Sequence, residues 1–352
     1  MSKRKRSTIR KRYIAAIGII LLIVGAVMAY SIYDKIFGSN ISLKDEKNTH
    51  INIPTGSTKE DVITILDTSN VIQNMSDFRW LAEKKNYQNH IHPGRYLIKD
   101  RMSNNALINM LRSGQQDPVD VVFNNIRKKQ ELAGVISQQI EADSLIITQL
   151  LNDDQYLQQY DMTSQTVPAL FIPNTYEFYW NTSAREFIER MHREYKRFWN
   201  KERTNKAKKI GLSPVEVSIL ASIVKEETTK ADEMPTIAGV YMNRLEKGMR
   251  LQADPTIKFA IGDFSVNRIL DKYLEQDSPY NTYKYAGLPP GPISFPSIKA
   301  IDAVLNYEHH NYLYFSAKAD FSGYHNFSKT HYQHIRNAKK YQEALNQKRI
   351  ME

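Results

Sequence analysis

The chain has 352 residues, of which 41% are apolar and 24% charged, a composition typical of a folded globular protein of two or three domains. It has no cysteine, which excludes disulfides, thiol catalysis and cysteine-ligated metal sites. The formal net charge is +10, but seven of the cations lie within residues 1–12, so only 10 − 7 = +3 remains for the rest of the chain. Because the excess charge sits at one terminus, we predict no nucleic-acid partner.

An apolar stretch without charged residues follows the basic tail, 1–12, and covers residues 13–33. It is long enough to cross a bilayer as a helix at about 1.5 Å per residue. A cleaved signal peptide is the alternative, but the stretch exceeds the usual signal core of about 7–15 residues and no small-residue cleavage site follows. Since the cations precede the span, we predict a single-pass protein of the cell (inner) membrane with a cytoplasmic N-terminus and residues 34–352 outside the cytoplasm.

The next part of the chain predicts a small α+β module. Residues 34–48 are polar and indicate a linker, and residues 49–125 begin with an alternating strand that ends at Pro54. Two helical segments follow, the first opened by a capping box at Ser57, and a proline–glycine turn leads into a second strand. This order resembles a LysM-like glycan-binding module, although a small structural module without a ligand fits the pattern equally well.

Two helical patterns, near 128–141 and 143–160, predict a helical connector over 126–160. From 161 to 352 we predict a larger mixed α/β domain, so that the chain as a whole belongs to the α+β class. A highly charged segment over 185–209 indicates one long helix with a solvated face.

A helix with a well-marked start begins after Ser213, where a proline and then a glutamate three residues on complete the capping-box pattern. Four residues recur at three- and four-residue spacing and share one face: Leu220, Val224, Glu227 and Ala231. That face is apolar except for Glu227, whereas Glu226 points about 100° away. A carboxyl group on an apolar face is unfavourable unless it is paired or protonated, and a protonated carboxyl is what a general acid needs. Glu227 is therefore the candidate catalytic residue.

The chain after this helix supplies side chains that suit a glycan. Short helices are predicted over 235–247 and 254–262, and a long loop rich in proline and glycine over 277–296. Aromatic rings match the apolar faces of sugars, and amides and hydroxyls match their polar edges. The candidate substrate-binding residues are Glu233, Asn243, Arg250, Gln252, Asp254, Tyr280, Asn281, Thr282 and Tyr283.

Some of these residues have a structural alternative. Glu233 is either a second acid of the site or a charge at a helix N-terminus. Asp254 precedes a proline and is most simply a helix N-cap. Arg250 and Gln252 either bind sugar or peptide carboxylates or hold their loop in place.

One prominent carboxyl group bears on the type of reaction. Hydrolysis of a glycoside normally takes two carboxyl groups. A lytic reaction takes one, which first protonates the leaving oxygen and then removes a proton from the sugar's own C6 hydroxyl. Glu227 has no obvious partner, which favours the lytic reaction. His331 and His334 lie three residues apart, but no acid or cysteine cluster accompanies them, so we predict neither a metal site nor a cofactor.

Several motifs in register over about 160–330 closely resemble the YceG-like family: Ala221-Ser-Ile-Val, Glu227-Thr, Asn243-Arg-Leu, Gly248-Met-Arg-Leu-Gln-Ala-Asp-Pro-Thr256, Tyr280-Asn-Thr-Tyr283 and Gly287-Leu-Pro-Pro-Gly291. The resemblance implies a membrane-anchored endolytic peptidoglycan transglycosylase with a LysM-like module. It implies cleavage of MurNAc–GlcNAc bonds in nascent glycan strands, which terminates their elongation and leaves 1,6-anhydro-MurNAc ends. It places the catalytic glutamate at Glu227 and implies peptidoglycan strands and the membrane as partners, with peptidoglycan synthases as candidates.

Two positions depart from the family pattern. The first glutamate of the catalytic motif is replaced by Lys225, and an aspartate in an upstream segment is replaced by Asn174. A cation close to the catalytic acid would lower its pKa and weaken it as a proton donor. A non-catalytic, membrane-tethered glycan-binding scaffold and a muramidase using Asp254 or Glu233 therefore stay open as alternatives.

Overall fold

The computed structural model describes residues 2–44, 46–266 and 269–347. It confirms a protein of mixed helix and sheet. The chain divides into two compact units, Met1–Val119 with Glu177–Asn181, and Asp120–Tyr176 with Thr182–Glu352.

Helix α1, Ser2–Phe37, includes the predicted apolar stretch. Its part Arg10–Phe37 is long and apolar enough to cross a membrane, with a mean hydropathy of 2.5. The end of the helix is fixed to the first unit, because the Lys35 ammonium lies 3.1 Å from the Asp77 carboxylate and the Lys35 carbonyl accepts a hydrogen bond from Asn104. The predicted span is thus part of a longer helix that ends on folded protein.

The first unit has the predicted order strand, helix, helix, strand. Strand β1 pairs antiparallel with β2, with Ile51 opposite Tyr96. The elements are β1 Asn48–Ile53, α2 Lys59–Thr68, α3 Met75–Lys84, β2 Gly94–Lys99 and, after the second strand, α4 Asn104–Ser113. Their apolar faces form one core beneath the two strands.

The segment predicted as a polar linker, 34–48, belongs to this unit. Ile41 is buried in its core, and the Asn40 amide donates hydrogen bonds to Asn74 and Asn104. The prediction considered only polarity along the sequence. One buried isoleucine and one bridging asparagine are enough to fix the segment because both find partners far away in the chain.

The remaining strands and α-helices, from β3 onward, make up nearly all of the regular structure of the second unit. They are β3 Val119–Val122, α5 Lys129–Ser137, α6 Ser144–Leu150, α7 Asp154–Leu157, β4 Thr175–Phe178, α8 Ala184–Phe198, α9 Lys201–Lys209, α10 Pro214–Glu227, α11 Met234–Glu246, α12 Asp254–Ile261, α13 Asp271–Leu274, α14 Ile298–Leu305, β5 Tyr314–Ala317, β6 His325–Ser328 and α15 His331–Gln347. Residues 126–160, predicted as a connector, lie in this unit, where α6 packs against α8.

The prediction of one charged helix over 185–209 is wrong. The helix breaks between α8 and α9 at Asn200, whose side chain accepts a hydrogen bond from the Arg203 amide and caps the second helix. Asparagine competes with the backbone for such hydrogen bonds, and the cap stabilises the new helix start. Trp199 is buried at the break, which anchors it to the core.

Helix α10 lies at the centre of the second unit and packs against α9, α11, α12 and α14. The residues from Val217 to Val224 are all buried. The long loop over 277–296 closes over this helix, because the Ile293 amide donates to the Ser222 hydroxyl at 3.0 Å. The end of the loop, residues 291–296, is thereby buried in the core.

Candidate active site

Helix α10 delivers Glu227 to the site. Ser213 and Glu216 form the predicted capping box at its start, and the helix ends at Glu227 because Thr228 is in an extended conformation. Ala231 therefore lies outside the helix, and the predicted apolar face of four residues stops at Glu227. A side chain on the last helical residue stands at the edge of the core, half-buried and facing a cavity.

The cavity has a volume of about 360 Å³. Its lining comes from α10, α11, α12, β5, α15 and the loops before α12 and after α13. The lining residues are Glu227, Tyr241, Arg244, Gln252, Asp254, Tyr283, Tyr314, Phe315, Ser316, His331 and His334. Aromatic, amide and charged groups around one carboxyl group make a site suited to a polar ring such as a sugar.

Burial raises the pKa of Glu227 to about 7, and the negative charge of Asp254 acts in the same direction. The hydrogen bond from the Tyr241 hydroxyl to Oε1, 2.5 Å long, opposes this rise, as do the positive charges of Arg244 and Lys258. Glu227 therefore keeps its proton up to neutral pH, which is the state that a general acid requires.

A stability test follows from this pKa. Below the unfolded-state pKa of 4.5 the carboxyl is protonated in both states, whereas between 4.5 and about 7 only the unfolded state ionises, so folding stability falls as pH rises through that window. We expect Glu227→Gln to match the wild type in unfolding free energy at pH 4 and to exceed it by about 2–3 kcal/mol at pH 8. Urea unfolding at both pH values measures the difference. An equal offset at both would contradict the raised pKa.

Asp254 is a second carboxyl group of the cavity. The prediction that it caps α12 is wrong: Ala253 occupies the N-cap position and Asp254 is the first helical residue. Its carboxylate instead accepts a hydrogen bond from the Tyr283 hydroxyl. Burial raises the pKa of Tyr283, and the negative charge of Asp254 adds to the rise. The hydroxyl therefore stays protonated and remains a hydrogen-bond donor.

Gln252 and Arg250 hold the segment between α11 and α12. Gln252 lines the cavity, and its backbone has a positive φ of 50°. Its backbone N–H donates a hydrogen bond to the Thr282 carbonyl. The Arg250 guanidinium donates to the Tyr283 carbonyl at 3.0 Å. Arg250 thus makes the predicted structural contact at the rim, whereas Gln252 faces the site.

The other predicted residues of the loop after α13 lie behind the cavity wall and hold the loop in place. Asn281 donates to the Leu274 and Gln276 carbonyls, and Thr282 accepts from the Ala253 amide. Tyr280 packs its ring on Phe259 with centroids 4.6 Å apart. Of the predicted loop residues, Tyr283 is the one that reaches the cavity.

Asn243 and Glu233 make buried contacts elsewhere. The Asn243 amide donates to the His310 and Tyr312 carbonyls. Glu233 is buried, and its carboxylate accepts from the backbone amide of His325 at 2.7 Å and lies 2.7 Å from Nδ1 of the same residue. Both groups fix the segment around β5 and β6.

Lys225 and Glu226 point away from the Glu227 carboxyl. The Lys225 ammonium donates to the Phe295 carbonyl at 3.1 Å, and burial lowers its pKa. Glu226 pairs with Arg127 at 3.0 Å. Lys225, the cation that replaces the family's first glutamate, therefore holds the loop over α10. It makes no ion pair with Glu227.

Two important residues were not predicted as site residues, Tyr241 and Arg244 of α11. The Arg244 guanidinium is buried and donates to the Leu313 and Leu251 carbonyls at 2.6 and 2.5 Å. Its spacing of three from Tyr241 places both on one helix face, a signal available in the sequence. That this face meets Glu227 follows only from how α10 and α11 pack.

Together the fold and the cavity place one carboxyl group of raised pKa in a polar and aromatic pocket. The YceG-like family model matches residues 51–340. The chain belongs to the YceG-like family.

Curated relatives and a solved structure agree with this assignment. The chain is 30% identical to the endolytic murein transglycosylase of Bacillus subtilis (strain 168) over 87% of its own length and 88% of the relative. It is 26% identical to the enzyme of the same description from Streptococcus pneumoniae (strain D39), over 79% of its own length and 55% of that protein. The crystal structure of a yceG-like protein from Listeria monocytogenes superposes with a TM-score of 0.54 at 30% identity, over 83% of this chain and 99% of the other.

Proposed function

We propose that the chain is an endolytic murein transglycosylase that cleaves MurNAc–GlcNAc bonds within nascent peptidoglycan strands and terminates their elongation. The observation that carries the proposal is the carboxyl group of Glu227, whose pKa burial raises to about 7, in a cavity lined by aromatic and amide side chains. Membership of the YceG-like family and the description of the B. subtilis relative support it.

In the proposed reaction Glu227 acts first as acid and then as base. Its proton passes to the glycosidic oxygen as the bond from that oxygen to C1 of MurNAc breaks. The resulting carboxylate then removes the proton from the C6 hydroxyl as O6 bonds to C1, which closes the 1,6-anhydro ring. The proton is recovered, no water is consumed, and no cofactor is required. A group with a pKa near 7 can serve in both steps at neutral pH.

Asp254 favours a second candidate, a muramidase. Its carboxylate shares the cavity with Glu227, and hydrolysis requires a second carboxyl to activate water. In the proposed lytic reaction Asp254 has a different role: burial keeps Glu227 protonated, and the charge of Asp254 adds to that effect. Its hydrogen bond from Tyr283 holds it against the wall of the cavity.

The anchor and the first unit fit the same function. Residues 13–33 would span the cell membrane once, with the N-terminus in the cytoplasm, and would hold the site where nascent strands emerge. The order of β1, α2, α3 and β2 supports a LysM-like module that binds glycan. A non-catalytic scaffold is the alternative in which this module alone has a function, and it leaves the raised pKa of Glu227 unexplained.

Product analysis tests the proposal. We expect the full chain in detergent micelles to convert uncrosslinked glycan strands into fragments with 1,6-anhydro-MurNAc ends, detected by mass spectrometry. Asp254→Asn should retain the anhydro product and lose activity at neutral pH, because removal of the neighbouring charge lowers the pKa of Glu227.

Reducing ends, which are heavier by one water, would instead identify a muramidase. In that case Asp254→Asn should abolish cleavage at every pH. Absence of any cleavage by the wild type, with strand binding retained, would support the scaffold.

A further inference from the structure

The hydroxyl of Tyr241 is fixed against Glu227. Tyr241 comes from α11 and is buried, and its ring packs edge-on against Phe315 with centroids 5.9 Å apart. Among the described residues, Tyr241 alone makes a hydrogen bond to the Glu227 side chain, through Oε1. Because the ring is buried and packed on Phe315, the core positions this donor.

The other charged and titratable groups near Glu227 come from every wall of the cavity. Asp254 and Lys258 belong to α12, Arg244 to α11 and Tyr283 to the loop after α13. On the remaining wall lie Tyr314 of β5 and His331 and His334 of α15. Asp254, Arg244 and Lys258 act on Glu227 through their charges, whereas Tyr241 makes the directional contact.

The direction of this hydrogen bond decides where the acid proton sits. A carboxyl oxygen that accepts a hydrogen bond from a tyrosine is best satisfied without a proton of its own. With Oε1 occupied by Tyr241, the proton of Glu227 belongs on Oε2. Once the proton has left, the same hydrogen bond becomes charge-assisted and roughly twice as strong.

We infer that Tyr241 is a positioning residue, which holds the transferable proton on Oε2 of Glu227 and stabilises the carboxylate that later removes the C6 hydroxyl proton. The inference rests on the proposed function of Glu227. In this role Tyr241 acts through Glu227 and neither gains nor loses a proton. Its effect is to make one carboxyl group an adequate acid in the first step and a stable base in the second.

Tyr241→Phe in the full chain tests this role through the pH profile of kcat/KM on uncrosslinked strands. Loss of the donor should lower the rate about tenfold at pH 6. The same loss should move the high-pH limb upward by about one pH unit, because the carboxylate is no longer stabilised. The rate ratio of variant to wild type should therefore rise with pH. The matched control is Tyr195→Phe, a partly buried ring packed on Trp199, which should shift nothing.

Replacement of Tyr241 by 3-fluorotyrosine gives the opposite shift without removing the hydroxyl. A more acidic phenol is a stronger donor, so the high-pH limb should move to lower pH. This variant keeps the shape of the side chain, and it tests the inference even if Tyr241→Phe does not fold.

A titration without substrate separates this inference from the proposed function. The C=O stretch of protonated Glu227, assigned by infrared difference against Glu227→Gln, should titrate at higher pH in Tyr241→Phe than in the wild type. That shift in a chain that fails to cleave strands would overturn the proposed function and leave the positioning role intact. An unchanged midpoint, or a fall in rate that is uniform across pH, would overturn the positioning role.

Discussion

Under the proposed mechanism, we expect replacement of Glu227 with glutamine to lower glycan-strand cleavage about a thousandfold, because the amide keeps the shape of the side chain and can neither give nor take the proton. The loss should appear in kcat with little change in strand binding, since the neutral amide resembles the protonated carboxyl. Initial rates of anhydro-end formation by the full chain, with circular dichroism to verify folding, provide the measurement.

Glu226→Gln is the matched control for this substitution. Glu226 is the adjacent residue of the same helix, but its carboxylate pairs with Arg127 and lies away from the cavity. We expect its rate to stay within about twofold of the wild type, since a single partly exposed ion pair contributes about 1 kcal/mol or less. Loss of cleavage in Glu226→Gln together with retention in Glu227→Gln would reject Glu227 as the acid.

We expect replacement of Arg244 with methionine to destabilise the second unit by about 3 kcal/mol. The guanidinium joins α11 to the carbonyls of Leu313, next to β5, and of Leu251, before α12. Methionine fills a similar space but leaves both acceptors without their donor, at a cost of about 1–3 kcal/mol each. It also removes the packing of the guanidinium over the Tyr314 ring at 5.2 Å. The urea midpoint of the full chain in detergent measures the loss.

Arg250→Met tests whether the effect is specific to the buried position. Arg250 is exposed and donates to one carbonyl, so its loss should cost less than about 1 kcal/mol. Equal destabilisation by the two substitutions would show that the buried hydrogen bonds of Arg244 do not hold the cavity walls together.

The sequence by itself determined the local structure around Glu227. The capping box at Ser213, the proline that follows and the run of apolar residues specify α10, because these signals act over neighbouring residues. The same kind of local evidence placed the strands and helices of the first unit and the N-terminal apolar helix. The family motifs added the position of Glu227, which the helix face indicated independently.

The tertiary structure decided which side chains meet. Asp254 appeared to be a helix cap and proved to be a carboxyl of the cavity, whereas Asn243 and Asn281 proved to hold backbone carbonyls. The sequence showed a polar residue near the site in each case. Whether a side chain satisfies a buried backbone group or faces open space depends on segments that approach from elsewhere in the fold. The local spacing of residues does not report these contacts.

Tyr241 and Lys225 also show that contacts between distant segments cannot be read from the local sequence. Tyr241 reaches Glu227 from another helix, and Lys225, two residues before Glu227 in the motif, donates instead to the Phe295 carbonyl. The sequence specified a carboxyl group at the edge of an apolar helix face. The packing of α11, α12 and the loop after α13 against that helix supplied its desolvation, its hydrogen-bond donor and its charged neighbours, and these together set its pKa.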